Sequence, residues 1–340
     1  MTGCDGGCTW YETDRSACGA CGNICDPQTT CAGGSCVPCA RSVCGNRCVD
    51  RLDDALNCGS CGHSCLGGNC AFGVCSAYTF QTGVSEIASN GAVLVALMPS
   101  GAVIIGADGG RGFAPVATAP SGLALTPDEA IVSANAVLAI ALDGGRIRTI
   151  APFPAPADAI ATDGAMVVWT SNGAVLSAPM DGGVATQRAS GIVYAGRIAM
   201  LAGTAYVLSA GTTAQSGALF QVPLDGGAVH AIATGLATPI GITAIGDAIA
   251  WTSSDGAVTR WSPGGGSSTI QRGFSLPAGI AFDGTWIFVT DARAGTITQI
   301  DPASGATTSV ASAECSPGSI AAAPFAIAWI ASGALRILAR

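Results

Sequence analysis

The sequence predicts an all-β protein: a seven-bladed β-propeller closed by an N-terminal strand and preceded by a small disulfide-rich module. Three observations carry this reading. Fifteen of the 16 cysteines lie between Cys4 and Cys75. After residue 76 one pattern of short apolar strands and glycine turns recurs seven times. No amphipathic run of helical length interrupts those copies, which argues against a parallel α/β architecture. The expected domains are 1–76, with tandem repeats at about 4–36 and 39–75, and 77–340.

The composition narrows the function classes. Of 340 residues, 48 are glycine and 11% are charged, against roughly a quarter in ordinary soluble domains. All 14 basic residues are arginine and the net charge is −8. Without a positive footprint, nucleic acid and anionic membrane surfaces are poor partners. Apolar residues come in short Ala/Ile/Val runs, far from the roughly 18 that a spanning helix needs, so no transmembrane span is expected. Met1-Thr2-Gly3-Cys4 leaves no room for the apolar core of a signal peptide. The cysteines nonetheless call for an oxidising compartment, extracellular or on the outer cell surface, and the chain reads as a mature form or a mis-started frame. Thr2-Gly3-Cys4 also fits the end of a bacterial lipoprotein cleavage site, which leaves a lipid anchor at or upstream of Cys4 open.

The cysteine module comes first. Its first unit runs Cys4, Cys8, Cys18, Cys21, Cys25, Cys31, Cys36; its second runs Cys44, Cys48, Cys58, Cys61, Cys65, Cys70, Cys75. Six spacings agree within one residue, and Cys39 precedes the second unit as an eighth. A unit this short has almost no apolar core and needs covalent staples, each worth roughly 2–4 kcal/mol. Disulfides explain the pattern better than metal or iron–sulfur ligation, because zinc and cluster sites use sets of four. Spacing leaves the connectivity open. Asp50, Asp53 and Asp54 cluster in one loop. Calcium, the one cofactor these carboxylates bring into view, needs six to eight oxygens; a solvated acidic loop is the plainer reading.

Cys44-Gly45-Asn46-Arg47-Cys48-Val49-Asp50, followed by Asn57-Cys58-Gly59-Ser60-Cys61-Gly62-His63-Ser64-Cys65, resembles the cysteine-rich repeat of the stigma-specific protein family. Similar repeats occur in predicted secreted proteins of myxobacteria. The resemblance covers residues 4–75 and implies a secreted disulfide module without enzyme activity. The first unit departs from it where Cys8-Thr9-Trp10 replaces the Cys-Val-Asp step.

The seven copies follow. Each begins with a small-residue strand: Ile87-Ala88, Leu123-Ala124, Ile160-Ala161, Ile198-Ala199, Ile242-Thr243, Ile280-Ala281, Ile320-Ala321. A tight turn leads to a second, more hydrophobic strand, in which Trp169, Trp251 and Trp329 share one position and Trp286 lies near it. A third strand reaches Asp-Gly-Gly at Asp108, Asp143, Asp181 and Asp225, and a polar fourth strand ends the copy. Asp-Gly predicts a type I′ hairpin turn, which needs positive φ at both central residues. Four short strands in each repeat match a propeller blade. Copy seven stops after its third strand, and Tyr78–Thr82 stands where a fourth would fall, so that strand closes the ring and removes exposed edges. Pro277-Ala278-Gly279-Ile280-Ala281-Phe282-Asp283-Gly284 resembles the blade grammar of NHL-like and streptogramin-lyase-like propellers, a grammar that binders and enzymes share.

The loops between blades, and between the second and third strands, are the candidate ligand face. Thr212, Thr213, Gln215, Arg197, Asp255, Asp291 and Arg293 are the candidate contacts, with Glu86, Asp158 and Glu314 nearby. Chemistry is sparse. His63 lies in the module, His230 belongs on an outer strand, and no nucleophile, metalloprotease or phosphate-loop motif is present. The expected function is a secreted or surface-displayed binding protein for a protein or glycan, without catalysis. A propeller lyase or lactonase-like enzyme is one alternative; a structural subunit that self-assembles into an extracellular filament is another. Cys315 is left to pair with an odd module cysteine or to stand as a free buried thiol.

Overall fold

The computed structural model describes residues 12–45, 47–152 and 157–340, together with the backbone of residues 2–4 and 7–9. The chain divides into two compact units, residues 1–78 with 338–340, and residues 79–337. No helix occurs among the described residues.

The first unit is a run of two-stranded hairpins. Disulfides join Cys18–Cys31 and Cys25–Cys36 in the first repeat. The second repeat has the equivalent pairs Cys58–Cys70 and Cys65–Cys75, with Cys44–Cys61 and Cys39–Cys48 in addition. Cys21 is also disulfide-bonded. The side chains of Cys4 and Cys8 lie outside the described residues. The two repeats share their hydrogen bonds. Cys18 N–H donates to the Asn23 carbonyl at 2.8 Å, as Cys58 N–H does to His63 at 2.9 Å. The Asn23 amide returns a bond to the Cys18 carbonyl, and His63 Nδ1 returns one to Cys58 at 2.6 Å. His63 thus does in the second repeat the job that Asn23 does in the first, with its Nδ1 proton directed at a backbone carbonyl. In the acidic loop, Asp50 accepts the Leu52 N–H and Asp54 accepts the Leu56 N–H.

The second unit is seven four-stranded antiparallel sheets. Their innermost strands are Glu86–Ser89, Ser121–Leu125, Ala159–Thr162, Ala195–Leu201, Pro239–Ile245, Pro277–Phe282 and Pro317–Ala323. The last sheet takes its outer strand from Tyr78–Thr82, hydrogen-bonded beside Ala334–Ala339, so the ring closes as the repeats predict. The core lies between blades: apolar side chains of each sheet interdigitate with those of the next. Trp169, Trp251 and Trp329 are fully buried and stand opposite Ile160, Ile242 and Ile320. Trp286 is out of that register. It sits in the turn after Asp283, which accepts its N–H at 2.7 Å, and Val289 takes the position opposite Ile280.

The Asp-Gly-Gly turns differ from expectation. At Asp108 and Asp143 backbone bonds close Gly106 to Gly109 and Ala141 to Gly144, and only the first glycine is left-handed (φ 79° at Gly109, 81° at Gly144), whereas both glycines after Asp181 have positive φ (108° at Gly182, 157° at Gly183). The aspartate Oδ1 accepts the N–H of the second glycine, at 2.8 Å from Gly110 and 2.9 Å from Gly145. That bond holds the aspartate in right-handed space and gives a longer hairpin with a glycine bulge. Two-residue turns with positive φ at both positions occur instead at Asn172-Gly173, Ala202-Gly203 and Ser332-Gly333.

Candidate functional site

The seven residues that open the repeats form one collar. Ile87, Leu123, Ile160, Ile198, Ile242, Ile280 and Ile320 line a single central cavity of about 330 Å3. Each sits on an innermost strand, so the ring brings to one axis residues that are 36–44 positions apart in sequence. In two of the bulged inner strands, between Pro239 and Ile242 and between Pro277 and Ile280, a glycine precedes the collar residue. A Cβ there would collide with the next blade: 2.8 Å from the Ala278 carbonyl oxygen at Gly241. Buried threonines stitch these joints. Thr290 Oγ1 accepts the Gly279 N–H and donates to the Gly318 carbonyl, both at 2.7 Å.

Two blades put charge at the position before the collar residue. Glu86 precedes Ile87 and Arg197 precedes Ile198; both line the cavity. Both stand near the start of an inner strand, which places them at the mouth that faces the blade-to-blade connections. Burial pushes the Glu86 carboxyl up to about 6, against the field of Arg197 and an N–H bond from Gly122. Arg197 is exposed and donates to the Gly196 carbonyl at 3.3 Å. Among the described residues no ion pair joins the two side chains.

The same face carries a cleft of about 540 Å3 beside blades three and four, lined by Asp158, Asn172 and residues 191–196. A recess of about 320 Å3 follows, lined by Tyr194, Arg197, Leu208, Pro239 and Ile240. Tyr194 borders both. The residue is 68% exposed and its backbone is left-handed (φ 51°), a costly state for a bulky residue. Tyr194 and Arg197 therefore link the outer cleft to the channel mouth.

The other sequence-predicted residues fall elsewhere on this face. Thr212, Thr213 and Gln215 are exposed in the loop after Thr204–Ser209, where Thr213 N–H donates to Ser216 Oγ at 2.8 Å. Asp255 forms a solvent-facing pair with Arg272 at 3.6 Å. Asp291 is 2% exposed and accepts four backbone N–H groups, from Ser275, Leu276, Arg293 and Ala294. Burial alone would raise its carboxyl; those donors hold it below the ordinary value. Its oxygens are committed to the turn. Arg293 is exposed beside it. None of these six lines the channel cavity. Cys315, in the connection before blade seven, is free and exposed, not buried. His230 is exposed on a fourth strand.

A larger cleft, about 980 Å3, lies between blades two and three on the opposite face. Its main polar feature closes on itself. Arg148 donates to both Glu129 oxygens at 2.9 and 2.6 Å and to the Met180 carbonyl at 2.6 Å, tying blade two to blade three.

The fold has close structural likenesses. A streptogramin B lyase matches with a TM-score of 0.64 and 15% identity over 77% of this chain and 96% of that one. Virginiamycin B lyase from Staphylococcus aureus matches at 0.63 and 16%, over 78% and 98%. The Cps50 (Swd1) β-propeller domain of Myceliophteria thermophila matches at 0.62 and 11%, over 78% and 100%. No protein-family model matches the chain, and no curated protein matches it in sequence. At these identities the likeness concerns the propeller fold alone.

Proposed function

We propose that this chain is an extracellular binding protein that holds its ligand on the propeller face carrying the blade-to-blade connections. One observation carries the reading: an exposed tyrosine in a strained backbone state borders both an outer cleft and the recess beside it, and the exposed Arg197 lines both that recess and the channel mouth. Strain and unsatisfied charge oppose folding and gather where function requires them. The many disulfides support an oxidising environment. The stigma-specific-like repeats, with their secreted myxobacterial counterparts, belong to this reading as a non-catalytic module. A lipid anchor and display at the outer surface are compatible with it. The two similar lyases share only the scaffold, and this face offers no comparable reason to choose their chemistry.

The test is a binding survey of the purified full chain on immobilised glycans and short peptides, run beside Tyr194→Ala. A ligand whose affinity falls at least about tenfold in that variant supports the reading. Lyase activity on virginiamycin B by the same preparation, with no binding at this face, would replace it with the lyase alternative.

A further inference from the structure

The position before the collar residue supplies its own control. Across seven blades it reads Glu86, Gly122, Ala159, Arg197, Gly241, Gly279 and Ser319. Five blades build the ring with Gly, Ala or Ser there. The fold therefore requires neither the carboxylate nor the guanidinium. The two exceptions carry opposite charges on blades one and four, as far apart as a seven-membered ring allows, and they face one channel without closing on each other. Below them is a wholly aliphatic collar. The volume, about 330 Å3, is at the small end of ligand pockets and suits a molecule of amino-acid size.

A lone anion would meet Glu86 and a lone cation would meet Arg197, each at an electrostatic cost. A neutral hydrocarbon would leave both charges desolvated and unpaired. One class of ligand satisfies all three surfaces. Building on the binding reading above, we propose that the channel mouth captures a small zwitterion with an aliphatic body. Its ammonium group faces Glu86, its carboxylate faces Arg197, and its hydrocarbon rests on the isoleucine collar. The strands beside Glu86 contribute Gly122 and Ser319 at this level, neither titratable, and Arg197 is the charged group set against it. Glu86 neutralises as pH falls through about 6. Capture therefore weakens in mildly acidic solution.

Calorimetric titration of the full chain tests this with L-leucine and ε-aminocaproate, and with hexylamine and hexanoate as single-charge controls. At about pH 7.5, at least one zwitterion binds about tenfold or more tightly than either control. Glu86→Gln erases that advantage over hexanoate, and Arg197→Gln erases it over hexylamine. The affinity of the unmodified protein for that zwitterion also drops between about pH 7.5 and pH 5, a readout that survives if a variant fails to fold. Zwitterions that bind no better than the controls, or an affinity indifferent to both substitutions and to pH, overturn the proposal. In that event, a glycan or peptide that still binds through Tyr194 leaves the broader binding reading standing; absence of any ligand ends both.

Discussion

At Glu86 burial works against the charge. Its carboxyl sits at about 6 in the fold against an ordinary 4.5, so between those values the native state holds more protons than the unfolded one. The associated stability is complete below the unfolded value and is lost as pH rises through the folded one. By neutral pH the loss is about 2 kcal/mol, the equivalent of the shift. Glu86→Gln should therefore raise stability by up to about 2 kcal/mol near pH 7.5 and by almost nothing near pH 4.5, as read by urea denaturation at both. A less stable variant at neutral pH would mean the carboxylate serves the fold. Asp291 is the opposite case. Four backbone donors stabilise its charge, a contribution present above its unfolded value and lost as pH falls below it. Asp291→Ala leaves those donors buried and should cost about 3 kcal/mol. A loss under about 1 kcal/mol in thermal melts would show that water or another acceptor replaces it. In the sequence both residues read alike, as acidic side chains near blade junctions. Their different fates depend on what the ring sets opposite them, which a local pattern does not encode. Glu86 does have one legible signal: it breaks the Gly/Ala/Ser rule at its place in the repeat.

The hairpins make the same point one level up. In the second cysteine repeat, Ala71-Phe72-Gly73-Val74 occupies the place of Ala32-Gly33-Gly34-Ser35, with matching register. Both turns need two left-handed residues, with φ 58° and 76° in the first and 52° and 76° in the second. Phe72 adopts that state while 91% exposed, so its ring gains little to offset the strain. Phe72→Gly should stabilise the second repeat by about 1 kcal/mol, read as slower hydrogen exchange in the hairpin. Unchanged or faster exchange would show that the phenyl ring contributes contacts of its own. The turn chemistry was legible only in part. Glycine after aspartate marks a turn correctly, but the aspartate's own side-chain bond selects the bulged form over the two-residue one. The cysteine spacing likewise declares a duplicated framework, while the pairs Cys18–Cys31 and Cys58–Cys70 emerge only once backbone bonds bring the strands together.

Over the whole molecule, stability depends on closing the ring with a strand from the far end of the sequence. Arg336 on the third strand of the last blade donates to Thr79 Oγ1 at 2.8 Å and to both Glu314 oxygens at 3.2 Å, so one guanidinium ties the closing strand to the preceding connection. The alternation in Ala334–Ala339 buries Leu335 and Ile337 and would leave a flat, apolar edge if its partner were missing. Such an edge recruits strands from other chains. The seven-fold repeat and the orphan strand Tyr78–Thr82 made this closure readable, because a blade short of one strand and a strand short of a blade are complementary defects. Two truncations separate the parts. A chain of residues 77–340 retains the closing strand and should remain monomeric with a single cooperative unfolding transition. A chain of residues 84–340 exposes the edge and should associate with rising concentration, as read by light scattering after size exclusion. If the shorter chain stays monomeric and melts at the same temperature, the six complete blades and the three-stranded seventh hold the ring by inter-blade packing alone, and the closing strand is dispensable.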